Sequence, residues 1–254
     1  WLVVCGLYGT VTLIQTVLCQ ESSRPFKDWG VLRSLVGVNL LTMTQGRGTD
    51  EHLFDWYASL VEEPLGGRHQ QLLGDTVQQA RSEFTEAKAT GFLQGSRLAP
   101  TNLVISHRLR EAVNAQCNTV DVKGRADAPH LTGEEFEYKA EPGTNSPQDA
   151  WFWPGQRVVA CSKGRKLRNG REYEIIELGD VVVVKGGSEL VRLKRSEFFR
   201  CMRLRYAVTY ASAQGLTIEG LLALHDTGHR YFDWRKLYVG LSRATGRDNV
   251  CLVY

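Results

Sequence analysis

The chain has 254 residues, 43% of them hydrophobic, enough to bury a core as one large domain or two small ones, and this excludes a disordered chain. Thirty-one Lys and Arg against 28 Asp and Glu leave a net charge of only +3, which excludes a generally basic, histone-like mode of nucleic-acid binding but not a local basic stripe. The six cysteines are scattered, with no C-x-x-C pair and no histidine cluster of zinc-ligand spacing, so they read as buried thiols of an intracellular, reducing compartment, nucleus or cytoplasm alike.

The opening "WLVVCGLYGTVTLIQTVLCQ" is long enough to span a bilayer. Gly6, Gly9, Thr10, Thr12 and Gln15 interrupt it, no basic residue flanks it, and its β-branched residues favour strands of a buried sheet, so no membrane association is expected. A start on Trp1 points to a fragment of a longer protein. Further on, "LLTMTQGRGTDEHLFDWYASL" runs from a short apolar strand through a loop into a helix. Thr49 suits its N-cap, and Leu53, Phe54, Tyr57, Leu60 and Val61 form one apolar face. A second, polar helical region covers about 70–89.

"NLVISHRLREAVNAQCN" reads as a strand over 103–106 running into an amphipathic helix that Ser106 or His107 caps. The acidic, Pro- and Gly-bearing stretch from Asp127 to Asp149 reads as a loop or module boundary. From Trp153 to about Leu193 come short β runs, "QRVVAC", "REYEIIE", "VVVVK" and "ELVRL", separated by turn signals, which imply a small antiparallel barrel or meander. The pattern then returns to α/β: strand "RYAVTYA", a Gly-containing turn, strand "GLLALHD", helix "DWRKLYVGLSRAT" and strand "NVCLVY". The β module is thus inserted within an α/β domain.

Two segments carry the chemistry. In "TYASAQGLTIEG", a strand leads into a tight turn at Gln214 and Gly215, where glycine lets the backbone approach a phosphate or ribose; for the pair taken alone, an ordinary strand-to-helix turn is the better explanation. In "DWRKLYVGLSRATGRDNVCLVY", helical spacing places Trp234, Leu237, Tyr238 and Leu241 on a buried face and Lys236, Gly240 and Arg243 on another, a basic stripe over a notch. That stripe is either a solvated face or the setting for a guanidinium aimed at a γ-phosphate.

Together, "VTYASAQGLTIEG" and "LYVGLSRATGRDNVCLV" resemble the last two motifs of superfamily 1 helicases, particularly the RecD and Pif group and their large-virus relatives. The resemblance rests on Thr209, Gln214, Gly215 and Thr217 in the first motif and on Tyr238, Val239, Leu241, Ser242 and Arg243 in the second. It implies an α/β, RecA-like parallel-sheet domain of the P-loop NTPase type, the second of a helicase, with an inserted SH3-like β-barrel. Its expected parts are a remnant of the first RecA-like domain at 1–30, the second domain at 31–150 and 201–254, and the insertion at 151–200.

By the same resemblance, Arg243 is the arginine finger and Arg47 the second phosphate-sensing arginine. Gln214, Gly215, Thr217 and Glu219 lie near ATP, while Ser106, His107, Arg108, Thr209 and Ser212 face single-stranded DNA, with RNA also possible. Lys163, Arg165, Lys166, Arg168 and Arg171 form a basic edge that either tracks a single strand or is merely solvated. Departures accompany the match. No G-x-x-x-x-G-K-[ST] loop occurs, and no Asp-Glu pair closes an apolar strand, so ATP and Mg would require a first RecA-like domain supplied in cis, and the chain alone, expected to be monomeric, would be inactive. No metal ligands are expected in the chain itself. Leu7 and Thr10 stand where a G-D-x-x-Q segment has Asp and Gln, Ala211 where relatives carry His, and Gly240 where they carry Ala. The rival reading is a non-catalytic single-stranded nucleic-acid-binding module, or part of a viral-type RNA helicase.

Overall fold

The computed structural model describes residues 3–7, 10–14, 41–42, 51, 53–56, 77–80, 82, 84–87, 99–139, 146–161, 166–214 and 216–253, with 3–7, 10–14, 41–42 and 85–87 described as backbone only. The chain divides into two compact units. One comprises Trp1–Glu86, Ala213–Leu222 and Thr227–Leu252; the other comprises Ala87–Ser212, Ala223–Asp226 and Val253–Tyr254.

In the first unit the opening apolar run forms β1 (Val3–Leu7) and β2 (Thr10–Ile14), paired antiparallel, and β3 (Leu41–Thr42) pairs antiparallel with β1 on its other side. These are the strands that the β-branched composition favours over a membrane helix. No helix among the described residues is long and apolar enough to cross a membrane. Residues 51 and 53–56 are helical, with Leu53 fully buried, as the apolar spacing predicts. Helix also covers 77–80, but 85–87 form strand β4 (Thr85–Ala87), so the helical region expected up to residue 89 ends earlier. The Phe84 amide still donates to the Ala80 carbonyl at 2.8 Å, and beyond it the backbone joins the sheet beside the C-terminal strand β15 (Val250–Val253). Sheet pairing overrides a composition with weak preference.

The second unit carries a parallel pair of strands. Strand β5 (Thr101–Val104) is fully buried and pairs in parallel with β13 (Ala207–Thr209), with Leu103 opposite Val208; β14 (Leu222–Leu224) lies on the other side of β5. Four consecutive buried residues are what a strand covered on both faces requires. Helix α1 (His107–Asp121) follows β5 directly. Its Asn114 and Asn118, one turn apart, act as braces: Asn114 Oδ1 accepts from the Ala207 amide at 2.8 Å, and Asn118 exchanges two 2.8 Å bonds with the Trp151 backbone.

Between β5 and β13 in sequence sits an antiparallel sheet in the order β11-β10-β9-β8-β12, from β8 (Arg157–Ala160), β9 (Glu172–Glu177), β10 (Val181–Gly186), β11 (Glu189–Lys194) and β12 (Met202–Leu204). The four predicted β runs are its first four strands. The fifth, β12, lies past residue 200, after helix α2 (Arg195–Cys201), and is buried at all three positions, the charged Arg203 included. Its core comprises Phe152, Val158, Ala160, Tyr173, Ile175, Val182, Val184, Leu193, Phe198, Phe199, Met202 and Leu204. A buried aliphatic or aromatic side chain contributes roughly 1.5–3 kcal/mol, so this cluster contributes much of what holds the inserted sheet together. The stretch read as a loop contains one short ladder, β6 (His130–Leu131) against β7 (Ala150–Trp151), with the His130 and Trp151 rings 4.6 Å apart.

Candidate functional site

One group of candidate residues lies in the first unit, where the two motif segments meet. Helix α3 (Trp234–Leu241) starts at Asp233, whose Oδ1 accepts from the Lys236 amide at 2.9 Å, a side-chain N-cap. Leu237, Val239, Gly240 and Leu241 are buried, while Trp234 and Tyr238 are half-buried. The helix ends sooner than predicted. Ser242 is its C-cap, and the Arg243 and Ala244 amides turn back to Gly240 and Leu241 at 3.1 and 3.2 Å, tightening the last turn.

Arg243 therefore leaves the helix face, and the basic stripe does not form. Lys236 instead pairs with Asp233 at 3.1 Å, and Arg243 is only 8% exposed. Its guanidinium donates from Nη1 to the Leu216 carbonyl at 3.3 Å, and from Nη2 and Nε to Ser242 Oγ at 3.0 and 3.3 Å. The backbone makes the same connection: the Ile218 amide donates to the Arg243 carbonyl at 2.8 Å, and Ile218 bridges Ala244 in parallel. Gln214 is half-buried at the end of the turn, whereas Thr217 and Glu219 are exposed on either side of buried Ile218. Gly215 and Arg47 lie outside the described residues, as do Lys163 and Arg165 of the basic edge.

A separate group belongs to the other unit, at the ends of its parallel strands. Ser106 rather than His107 caps α1, its Oγ accepting from the Leu109 amide at 3.2 Å, and so the strand stops at Val104, before the predicted Ser106. Ser106 and Arg108 are exposed and His107 is half-buried. Burial, followed by the nearby positive charges of Arg110 and Arg203, holds the His107 pKa below its ordinary value. At the end of β13, Thr209 Oγ1 and Ser212 Oγ lie 2.9 Å apart, with the Ser212 amide donating to Thr209 Oγ1 at 3.3 Å; Thr209 is buried and Ser212 exposed. Ser106, His107 and Arg108 thus follow the end of β5, as Thr209 and Ser212 follow that of its parallel neighbour β13, so the topology brings the two predicted sets to one sheet edge.

The sequence reading missed the polar frame beneath that edge. Asp226, at φ +64, accepts from the Ile105 amide at 2.9 Å, tying the end of β14 to the residue before the N-cap. Buried His225 bonds Asn102 Oδ1 through Nε2 at 3.0 Å, and its carbonyl accepts from the Tyr210 hydroxyl at 2.8 Å. Asn102 Nδ2 in turn donates to the Ala99 and Tyr206 carbonyls, both at 2.9 Å. Burial drives the His225 pKa down to about 4, so the ring is neutral. The only signal in the sequence was a His-Asp pair closing the apolar run "LLAL".

The basic edge of the insertion is differently employed. Arg171 donates to Glu189 Oε2 at 2.7 Å and to the Gly186 carbonyl at 2.6 Å, while Lys166 and Arg168 each lie 3.9 Å from a glutamate, Glu197 and Glu189. The three described members are thus engaged with acidic neighbours, as on an ordinary ion-paired surface.

No family model matches the chain, and no curated protein matches it. Solved structures do. A structure of two coordinating Pif1 helicases at forked double-stranded DNA matches with TM-score 0.54 and 16% identity over 83% of this chain and 48% of that chain. Bacteroides Pif1 bound to single-stranded DNA matches with TM-score 0.52 and 16% identity over 84% of this chain and 51% of that one. The fold is that of Pif1 helicases. The chain spans about half the length of the Pif1 proteins that it matches. The RecA-like parallel sheet with an added antiparallel sheet, expected from the motifs, is thus the fold observed.

Proposed function

We propose that the chain is the C-terminal, ATP-sensing part of a superfamily 1 DNA helicase, a second RecA-like domain with an SH3-like insertion. The observation that carries this reading is the junction of the two motifs: Arg243 bonded to the Leu216 carbonyl, and Ile218 bonded to the Arg243 carbonyl. Residues 25 or more apart in sequence are held in one place, so a change at either segment is felt at the other.

In this reading ATP binds where a first RecA-like domain meets this one, with Mg held by that domain's carboxylates. Arg243 and Arg47 bring positive charge to the γ-phosphate, and Gln214, Gly215, Thr217 and Glu219 line the near side. A guanidinium stays charged at any working pH and suits phosphate oxygens. Ser106, His107 and Arg108 offer the first-turn amides of α1 and one cation to a DNA phosphate, with Thr209 and Ser212 beside them. Phosphate contact of this kind positions a strand without reading its sequence, as stepping along DNA requires.

The test is a protein that joins this chain to a first RecA-like domain bearing a phosphate loop. Arg243→Ala lowers its DNA-stimulated ATP hydrolysis by about 10³-fold or more, the scale of an arginine finger, with ATP binding retained. Unchanged turnover would remove the assignment. The absence of a phosphate loop from all 254 residues favours one second reading, a single-stranded nucleic-acid-binding module without hydrolysis; inactivity of the joined protein together with intact DNA binding would select it.

A further inference from the structure

Arg203 sits in the middle of β12, between Met202 and Leu204, which enter the core of the inserted sheet. Alternation along a strand turns Arg203 to the opposite face. There it is only 4% exposed, and its Nε and Nη1 are buried without a hydrogen-bond partner. No carboxylate among the described residues forms an ion pair with it. The positive charge that acts on it is of the same sign. Arg110 of α1, fully buried, interacts repulsively with it, and both guanidinium groups act on His107 and on the Cys161 thiol. Arg110 spends Nη2 on Glu111 Oε1 at 3.2 Å and on the Ser146 carbonyl at 3.3 Å.

The cluster thus holds two buried cations, one carboxylate at its margin and an imidazole whose pKa is held down. A buried charge without a partner is one of the more expensive features a fold can carry, and native structures pair such charges. Burial, with Arg110 second, pushes the Arg203 pKa down to about 10, which still leaves the group charged at neutral pH. His107, Glu111 and Cys161 around the pair are only half-buried, so the cluster is not sealed from the surface.

We propose that the junction of α1 and β12 is an oxyanion site of the phosphate class, in which the unpartnered N–H groups of Arg203, with Arg110 beside them, hold one phosphate group. A tetrahedral oxyanion presents several acceptors at once and brings the negative charge that the cluster lacks. The phosphate is either free in solution or part of a nucleic-acid backbone. The inference does not depend on the helicase reading, since it needs neither ATP nor a second domain.

The test titrates inorganic phosphate into the full chain by calorimetry, with chloride holding the ionic strength constant, and repeats it with Arg203→Met. Saturable binding to the parent that weakens at least about tenfold in the variant, the scale of a lost charged hydrogen bond, is expected. Absence of saturable binding, or equal binding in the variant, overturns the site. Thermal melting in chloride guards against misfolding, because an apolar replacement for an unpaired buried charge leaves stability unchanged or raised. Should Arg203→Met fail to fold, Arg203→Lys keeps the charge but loses the planar donors, and equal phosphate binding there also overturns the proposal. Short oligothymidylate separates the sources: competition with phosphate assigns the site to a nucleic-acid backbone, and its absence to the free ion.

Discussion

His225 is the residue whose environment makes the plainest physical demand. Buried and bonded to Asn102, it titrates at about 4 in the folded chain against 6.5 when exposed. The unfolded chain therefore takes up the proton first as pH falls. Its contribution is fully present above pH 6.5 and is lost progressively toward pH 4, a change of roughly 3 kcal/mol at 1.36 kcal/mol per pKa unit. Melting temperatures measured from pH 7 to pH 4 should fall steeply, and His225→Gln should flatten that slope; a parallel slope in the variant would place the titration elsewhere. Ser106 offers a second residue-scale prediction. As the N-cap of α1 it supports the helix, so Ser106→Ala costs about 1 kcal/mol in denaturant unfolding, and Ser106→Asp, which keeps the cap but adds a negative charge at the start of α1, retains stability while weakening single-stranded DNA binding. Equal DNA affinity in the Asp variant would leave Ser106 a cap and nothing more.

At the scale of elements, the sheet insertion turns on one close approach. A Cβ at Gly186 would stand 2.6 Å from the Tyr173 ring, in a backbone that Arg171 clasps through the Gly186 carbonyl. Gly186→Ala forces the ring aside and costs about 1–3 kcal/mol, the usual penalty of overpacking, visible as a lower denaturation midpoint of the chain. The elements also show where sequence reading works. Strand β9 was legible because buried and exposed residues alternate, as in Glu172, Tyr173, Glu174 and Ile175, and β8, β10 and β11 because short apolar, β-branched runs stand between turn signals. β12 and β4 were not: one is buried at every position, and the other gains its strand form only from sheet pairing. The end of α3 was illegible for a related reason. Nothing within "LYVGLSRAT" breaks a helix, and it is the Ile218 amide, from another segment, that takes the Arg243 carbonyl out of the helical pattern.

For the whole molecule, the Q-G and L-S-R segments were legible as a pair, and the fold that they implied is the one observed. What chain order could not convey was contact. Arg243 was expected on an exposed stripe and is instead packed against Leu216, while the His225, Asn102 and Tyr210 frame and the Arg203 cluster depend on residues far apart in sequence. Such arrangements follow from topology, which no local periodicity encodes.

Whether this chain supplies one side of a shared ATP site is decided by DNA-stimulated ATP hydrolysis of the 254-residue chain alone and of the same chain joined to a first RecA-like domain with a phosphate loop. No turnover is expected from the chain alone, and DNA-dependent turnover that Arg243→Ala abolishes is expected from the joined protein. Hydrolysis by the joined protein that is indifferent to Arg243, or hydrolysis by the isolated chain, would contradict it.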